Sequence, residues 1–169
     1  MNISKLSRAR REGIAKVLVG IQFLILGLLG ITALLNITDK NHSYLAFEAA
    51  LVLIGGAVIA SAGKYLRPSL RISPIPKADS PLIAVGIYKY VRHPMYLGVI
   101  LIGVGLAGFT DSALAWVMAG ILVIDLNFKA RFEDALLREI HPESLHYQLH
   151  TSRIIPCIGG SCRENCELK

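Results

Sequence analysis

No cysteine occurs before Cys157, and Cys157, Cys162 and Cys166 crowd into the end of this 169-residue chain, so no disulfide framework ties its organised part together. Their spacing fits no common zinc or iron–sulfur pattern, and no metal site is expected. Charge is scarce as well: 18% of residues are Asp, Glu, Lys or Arg, against 53% apolar residues and a mean hydropathy of +0.52. That balance departs from ordinary soluble domains and points to a membrane protein. The net charge of +6 would suit nucleic acid, but no basic run is interleaved with aromatic residues, and nucleic acid is not an expected partner. The length leaves room for one modest domain and none for an additional nucleotide-binding fold of roughly 100 residues. The basic opening, MNISKLSRARREG, resembles the start of a signal peptide. The apolar stretch behind it is too long for one and lacks a small-residue cleavage site, so it reads as a retained first span.

Long apolar runs are what the chain has in abundance. Residues 14–35 hold only Lys16 and Gln22 as strongly polar side chains and would span about 33 Å as a helix, enough to cross a hydrocarbon core. Residues 44–62 form a second run, with Glu48 near its start and Gly55, Gly56, Ala57, Ala60 and Ser61 available for close helix contact. The repeats Gly56-x-x-x-Ala60 and Gly103-x-x-x-Ala107 read as packing faces. One helix over 94–128 would run about 52 Å, far beyond a core of about 30 Å. Thr110, Asp111 and Ser112 therefore break it into a hairpin, stopping one helix and capping the next.

The expected spans are 14–35, 44–62, 94–109 and 112–128. The fold class is all-α: an integral membrane helical bundle of about four transmembrane helices with a cytoplasmic C-terminal helical segment. It reads as a single domain over 1–156, followed by a flexible cysteine-containing tail over 157–169. Lys5, Arg8, Arg10, Arg11 and Lys16 precede or open span one, six basic residues from Lys64 to Arg92 lie between spans two and three, and the predicted outer loops hold only Lys40. The positive-inside rule then puts both termini and the 63–93 segment in the cytoplasm. Pro68, Pro74, Pro76 and Pro81 give that segment an extended path. Two formal glycosylation sequons, at Asn36 and Asn41, lie in a loop too short and too near the membrane to carry weight.

Polar and aromatic groups converge in residues 86–98, GIYKYVRHPMYLG. Pro94 suits the first turn of a helix, where its missing N–H would have no partner, leaving His93 near the N-cap and Arg92 just outside. The positive helix end and a forked guanidinium both favour an anionic group. The plain alternative is interfacial packing: belt tyrosines, a snorkelling arginine and a capping histidine. A second cluster follows span four in residues 127–140, NFKARFEDALLREI, an amphipathic helix leaving the membrane. Its Glu133 and Asp134 lie about 100° apart and can serve different partners, one a ligand and the other an arginine. The alternative there is a solvated face balancing Lys129, Arg131 and Arg138. Asp125, near the end of span four, and Glu48 must face the bundle interior or reach the interface.

Taken together, Tyr88, Arg92-His93-Pro94, Tyr96 and Gly98, then Glu133-Asp134, then Arg153-Ile154-Ile155-Pro156 make a pattern that resembles the isoprenylcysteine carboxyl methyltransferase and phospholipid methyltransferase superfamily over roughly residues 64–156. The resemblance implies S-adenosyl-L-methionine in a cytoplasm-facing pocket without a Rossmann domain, and a lipid-linked or amphipathic methyl acceptor arriving from the bilayer, with membrane lipids as surroundings. It implies that Tyr88, His93, Pro94, Tyr96, Leu97 and Gly98 line the cofactor pocket, that Glu133 helps to hold the cofactor, and that Arg92 and Asp134 contact either ligand. Arg92, Glu133 and Asp134 are thus the expected catalytic residues. The chain departs from the pattern at Asp134, where a second glutamate is usual, at Pro142 in place of Gly, and at Leu145 and Gln148 in place of tyrosines.

These residue types suit the chemistry. Aromatic faces attract a sulfonium and a carboxylate pairs with an amino group. A carboxylate acceptor is already ionised at neutral pH and needs only orientation, for which Arg92 or Arg153 is available. An amine or thiol acceptor would need a base, for which His93 is the candidate. The absence of a strong dedicated base favours the carboxylate of an isoprenylcysteine-like acceptor. Two other readings compete. Steroid and sterol reductases, which use a nicotinamide nucleotide, carry a similar RHPxYxG segment, and a small non-enzymatic membrane scaffold would bind neither nucleotide.

Overall fold

The computed structural model describes residues 7–36, 44–66, 83–110 and 112–156. The prolines at 68, 74, 76 and 81, Asp111, most of the sequon loop and the cysteine tail lie outside the described residues. Within them the chain is helical: α1 (Arg8–Asn36), α2 (Leu45–Leu66), α3 (Pro94–Thr110), α4 (Ala113–Ile140) and α5 (Ser144–His150), with a 3₁₀ turn over Gly86–Lys89 ahead of α3. Three helices, α1, α2 and α4, are long and apolar enough to cross a membrane, and α3 is a shorter apolar helix. At 17 residues, α3 covers about 26 Å. The molecule is an integral membrane protein, and exposed side chains such as Phe23, Leu34, Leu53 and Ile124 turn outward, where lipid replaces water.

Helix boundaries depart from the sequence expectation in one instructive place. The span over 112–128 and the amphipathic segment after it form one 28-residue helix of about 42 Å. Nothing from Asn127 to Ile140 breaks it, since no proline or glycine occurs there and Lys, Arg, Glu, Ala and Leu are good helix formers. That length exceeds a core of about 30 Å, and the helix carries Glu133 and Asp134 on the same rod as its apolar run. The break between α3 and α4 falls at the hairpin expected around Thr110 and Ser112.

Ile25 and Leu29 of α1, Ala107 of α3, and Ala115, Ala119, Leu122 and Leu126 of α4 form the apolar centre. The α2–α3 contact is closest because glycines meet there. An added Cβ at Gly98 would lie 2.6 Å from the Gly55 carbonyl oxygen and 2.5 Å from Ile59 Cγ1. Gly103 instead accommodates Leu122 of α4. The Gly56-x-x-x-Ala60 face expected to pack does not do so: Gly56 and Ala60 are exposed, and a Cβ on Gly56 would meet nothing within 4 Å. Gly55 and Gly56 point about 100° apart, and the partner helix decides which one is buried.

A paired substitution tests this. Gly55→Ala should destabilise by about 1–3 kcal/mol, because it forces backbone apart. Gly56→Ala should be neutral or stabilising by up to about 1 kcal/mol through helix propensity. Thermal midpoints in detergent read both, and equal effects would refute the packing assignment.

Candidate functional site

The segment leading into α3 is fixed by backbone pairing with the far end of the chain. Arg92 N–H donates to the Ser152 carbonyl at 2.8 Å and His93 N–H to that of Arg153 at 2.9 Å, and Val91 and Ser152 form a parallel bridge. The Arg-His-Pro and Arg-Ile-Ile-Pro segments, some sixty positions apart in sequence, are therefore neighbours. The His93 carbonyl accepts from Tyr96 and Leu97 N–H at 3.1 and 3.2 Å, which starts α3 with Pro94 in its first position.

Asp134 is the centre of the charge arrangement. Its Oδ2 accepts from Arg92 Nη1 at 2.9 Å and from Arg153 Nε at 3.0 Å, while Oδ1 accepts from His93 Nε2 at 2.9 Å. The Asp134 side chain is only 3% exposed. Three cationic groups thus meet one carboxylate in an enclosed position, where each hydrogen bond is charge-assisted. Glu133, about 100° around the helix, faces a different direction and is 31% exposed. Its Oε2 accepts from the Tyr96 hydroxyl at 2.9 Å and lies 3.4 Å from His93 Nδ1. His93 stacks on Tyr96 with parallel rings, 5.2 Å between centroids. The adjacent acidic pair is divided, Asp134 to the arginines and Glu133 to the tyrosine side.

Both His93 nitrogens face carboxylates. Burial alone would lower its pKa, but the hydrogen bonds to Asp134 and Glu133 and their charges outweigh burial and push it up to about 9. His93 is therefore an imidazolium at neutral pH with both N–H groups directed to partners, and the expectation that it could serve as a free base is corrected. Arg92 and Arg153 each commit one guanidinium nitrogen to Asp134, so neither is wholly free to orient an acceptor carboxylate. The Tyr88 hydroxyl is pushed up to about 12 by burial and by the charge of Glu133, which keeps it protonated.

The departure at Gln148 has a structural role. Gln148 is buried, accepts from Arg138 Nε at 2.6 Å and donates to the Asp134 carbonyl at 3.0 Å. Tyr147 donates its hydroxyl to the Tyr88 carbonyl at 2.6 Å. Leu145 is 48% exposed. The short helix α5 thus braces the α4 and Tyr88 sides of the site through Gln148 and Tyr147.

Of the residues singled out in sequence, Tyr88, Arg92, His93, Tyr96, Glu133 and Asp134 come together at one end of α3 and α4. Pro94 and Leu97 belong to the first turn of α3, while Gly98 lies at the contact with Gly55 of α2. Two residues escaped notice as members of the cluster. Lys129 is 2% exposed and Gln22 9% exposed, and Lys129 Nζ donates to Gln22 Oε1 at 2.5 Å. Lys129 also stands 5.1 Å from the centroid of the Tyr96 ring. The available signal was spacing: Asp125, Lys129 and Glu133 recur every four residues on one face of α4.

The residues present suit a donor carrying an ammonium, a carboxylate and a sulfonium. Glu133 offers a partly exposed carboxylate, and Tyr88 and Tyr96 offer aromatic rings. Arg92 Nε is a buried donor with no hydrogen-bond acceptor among the described residues, which matches a ligand carboxylate. In comparison with known proteins, the family model for phospholipid methyltransferase matches residues 43–144. Neither the curated proteins nor the solved structures give a match. The match covers α2, α3, α4 and the stretch containing Arg92, His93, Tyr96, Glu133 and Asp134, and with it the chain belongs to the phospholipid methyltransferase family, a family of membrane methyltransferase enzymes.

Proposed function

We propose that this protein transfers a methyl group from S-adenosyl-L-methionine to a lipid-linked or amphipathic acceptor drawn from the bilayer, with both chain termini on the cytoplasmic side. The observation that carries this reading is the division of the acidic pair: Asp134 is consumed by Arg92, His93 and Arg153, while Glu133 remains partly exposed beside Tyr96. Glu133 would hold the donor's ammonium, Arg92 Nε its carboxylate, and the rings of Tyr88 and Tyr96 would face its sulfonium. The cofactor supplies an electrophilic methyl whose bond to sulfur breaks as the acceptor's lone pair attacks. The protein orients the acceptor in line and excludes water. The family match favours this over a nicotinamide-dependent reductase, and over a scaffold.

The isoprenylcysteine carboxylate remains one acceptor of suitable chemistry, since it needs no base, and a phospholipid headgroup is the other that the family description suggests. An amine acceptor would have to arrive with its lone pair free, since His93 already carries a proton, and its methylated product would leave as the ammonium.

Calorimetric titration of detergent-purified protein with S-adenosylhomocysteine and, separately, NADPH tests the donor. We expect S-adenosylhomocysteine to bind and NADPH not to bind. Glu133→Gln should weaken S-adenosylhomocysteine binding roughly tenfold or more, as loss of a charged hydrogen-bond partner does. Binding of NADPH alone would overturn the reading in favour of the reductase, and binding of neither would favour the scaffold.

A further inference from the structure

Lys129 sits in an environment that the donor site does not explain. It is enclosed by the bundle at 2% exposure, yet among the described residues no carboxylate lies within ion-pair distance of it. Arg92 and His93, also enclosed cations, each have a carboxylate oxygen at 2.9 Å. The hydrogen-bond partner of Lys129 is the neutral amide of Gln22, and its remaining polar contact is the face of Tyr96. Asp125 and Glu133, one turn to either side along α4, act on it only at longer range. Asp125 in turn leaves its Oδ2 buried without a hydrogen-bond donor, so these i, i+4 neighbours have not satisfied one another. A charge enclosed at membrane depth is costly unless paired, and such residues mark ligand pathways.

Position narrows the ligand. Lys129 is one turn closer to the bilayer than Glu133, about 6 Å along the helix, and touches the same Tyr96 ring that stacks on His93 and bonds Glu133. An anion held there would lie beside the donor groups, on the side from which a membrane-borne acceptor arrives. Gln22 is presented by α1, which lies outside the segment matched to the family. An amide oxygen carries partial negative charge and can occupy an anion's place.

We propose that Lys129 is the acceptor-side anion site of this protein. Its ammonium receives an anionic oxygen of the amphipathic acceptor, a phosphodiester or a carboxylate, and Gln22 Oε1 occupies that position until the acceptor displaces it. The inference rests on the reading that the acceptor comes from the bilayer, and it adds the group that recognises it. Lys129 is thereby a residue of acceptor affinity, and Gln22 a positioning residue acting through it.

The test measures binding of two amphiphiles to full-length protein in neutral detergent micelles saturated with S-adenosylhomocysteine. The probes are dioleoylphosphatidylethanolamine, which carries a phosphodiester, and N-acetyl-S-farnesylcysteine, which carries a carboxylate. The methyl ester of the latter and dioleoylglycerol serve as controls without the anion. At least one anionic probe should bind more tightly than its control, and which one does so identifies the source of the anion. Lys129→Met should weaken that probe roughly tenfold, as loss of a charged hydrogen bond does, a loss clearly larger than any change in S-adenosylhomocysteine affinity. Gln22→Glu should weaken the same probe by supplying a competing carboxylate, whereas Gln22→Leu should leave it equal or tighter. A purely structural lysine predicts lower thermal midpoints in Lys129→Met and Gln22→Leu with probe affinity unchanged. That result would overturn the inference, as would anionic probes binding no better than their controls. Failure of the wild-type protein to bind S-adenosylhomocysteine would instead overturn the donor reading on which the inference rests.

Discussion

Replacing Asp134 with Asn should lower the thermal midpoint of the protein in detergent by roughly 10 °C, corresponding to about 3–5 kcal/mol. The carboxylate is 3% exposed and is the shared acceptor of Arg92, His93 and Arg153. Asn retains the shape and one acceptor oxygen but not the charge, leaving the cationic groups without their counter-ion in an enclosed place. Solvent weakens the contribution of Arg153, whose side chain is 34% exposed, so most of the loss comes from Arg92 and His93. Arg11 and Glu139, also an ion pair, make a useful comparison: their side chains are 19% and 35% exposed, and Arg11→Ala should cost only about 0–1 kcal/mol. Because Asp134 also sets the direction of Arg92, the Asn variant should lose S-adenosylhomocysteine binding along with stability. Glu133→Gln should lose binding with a much smaller fall in midpoint. An unchanged midpoint in Asp134→Asn would show that the enclosed cluster does not depend on that charge.

The second large effect is on pH. A His93 pKa raised to about 9 in the folded protein, against about 6.5 in an unfolded chain, means that the fold binds this proton more tightly. Below about pH 6.5 both states carry the proton and the stabilisation is complete. It declines as pH rises from about 6.5 and is lost above about 9, a total of about 3 kcal/mol. The groups facing His93 are Asp134 and Glu133 on α4 and Tyr96 on α3, with Arg92 and Arg153 sharing Asp134. The wild-type midpoint should therefore fall across this window more steeply than that of His93→Gln, which can donate but does not titrate. Parallel curves for the two proteins would refute the assignment. Donor binding should weaken over the same range, because deprotonated His93 loses one of the hydrogen bonds that hold Asp134 and Glu133.

Much of the architecture was legible in sequence because a bilayer imposes few solutions. A run of apolar residues long enough to cross must satisfy its backbone internally, and 94–128 was too long to be one crossing. The broken hairpin and the gathering of Arg92, His93 and Tyr96 near the start of α3 follow from this and from Pro94. The unbroken course of α4 from Ala113 to Ile140 was less visible, since hydropathy changes near Phe128 while helix propensity does not. Sequence periodicity could mark small-residue faces on α2, but Gly55, not Gly56, meets Gly98, because helix azimuth is set by the partner.

By itself the sequence determined the helical membrane class, the long apolar segments and the residue types gathered at one end of the hairpin. It also determined that Glu133 and Asp134 must diverge, because 100° separates successive residues of any helix. Tertiary structure alone decided which of the two is consumed. The strand-like pairing of residues 91–93 with 152–153 brings Arg153 to Asp134, and no local signal encodes a contact between segments so far apart. Tertiary structure also withdrew His93 from the role of free base, by setting it between two carboxylates, and joined Lys129 to Gln22 across the bundle. Periodicity is a property of one helix and can be read along the chain. The company a charge keeps depends on how helices rotate against one another, and it is this company that fixes protonation, orientation and the room left for a ligand.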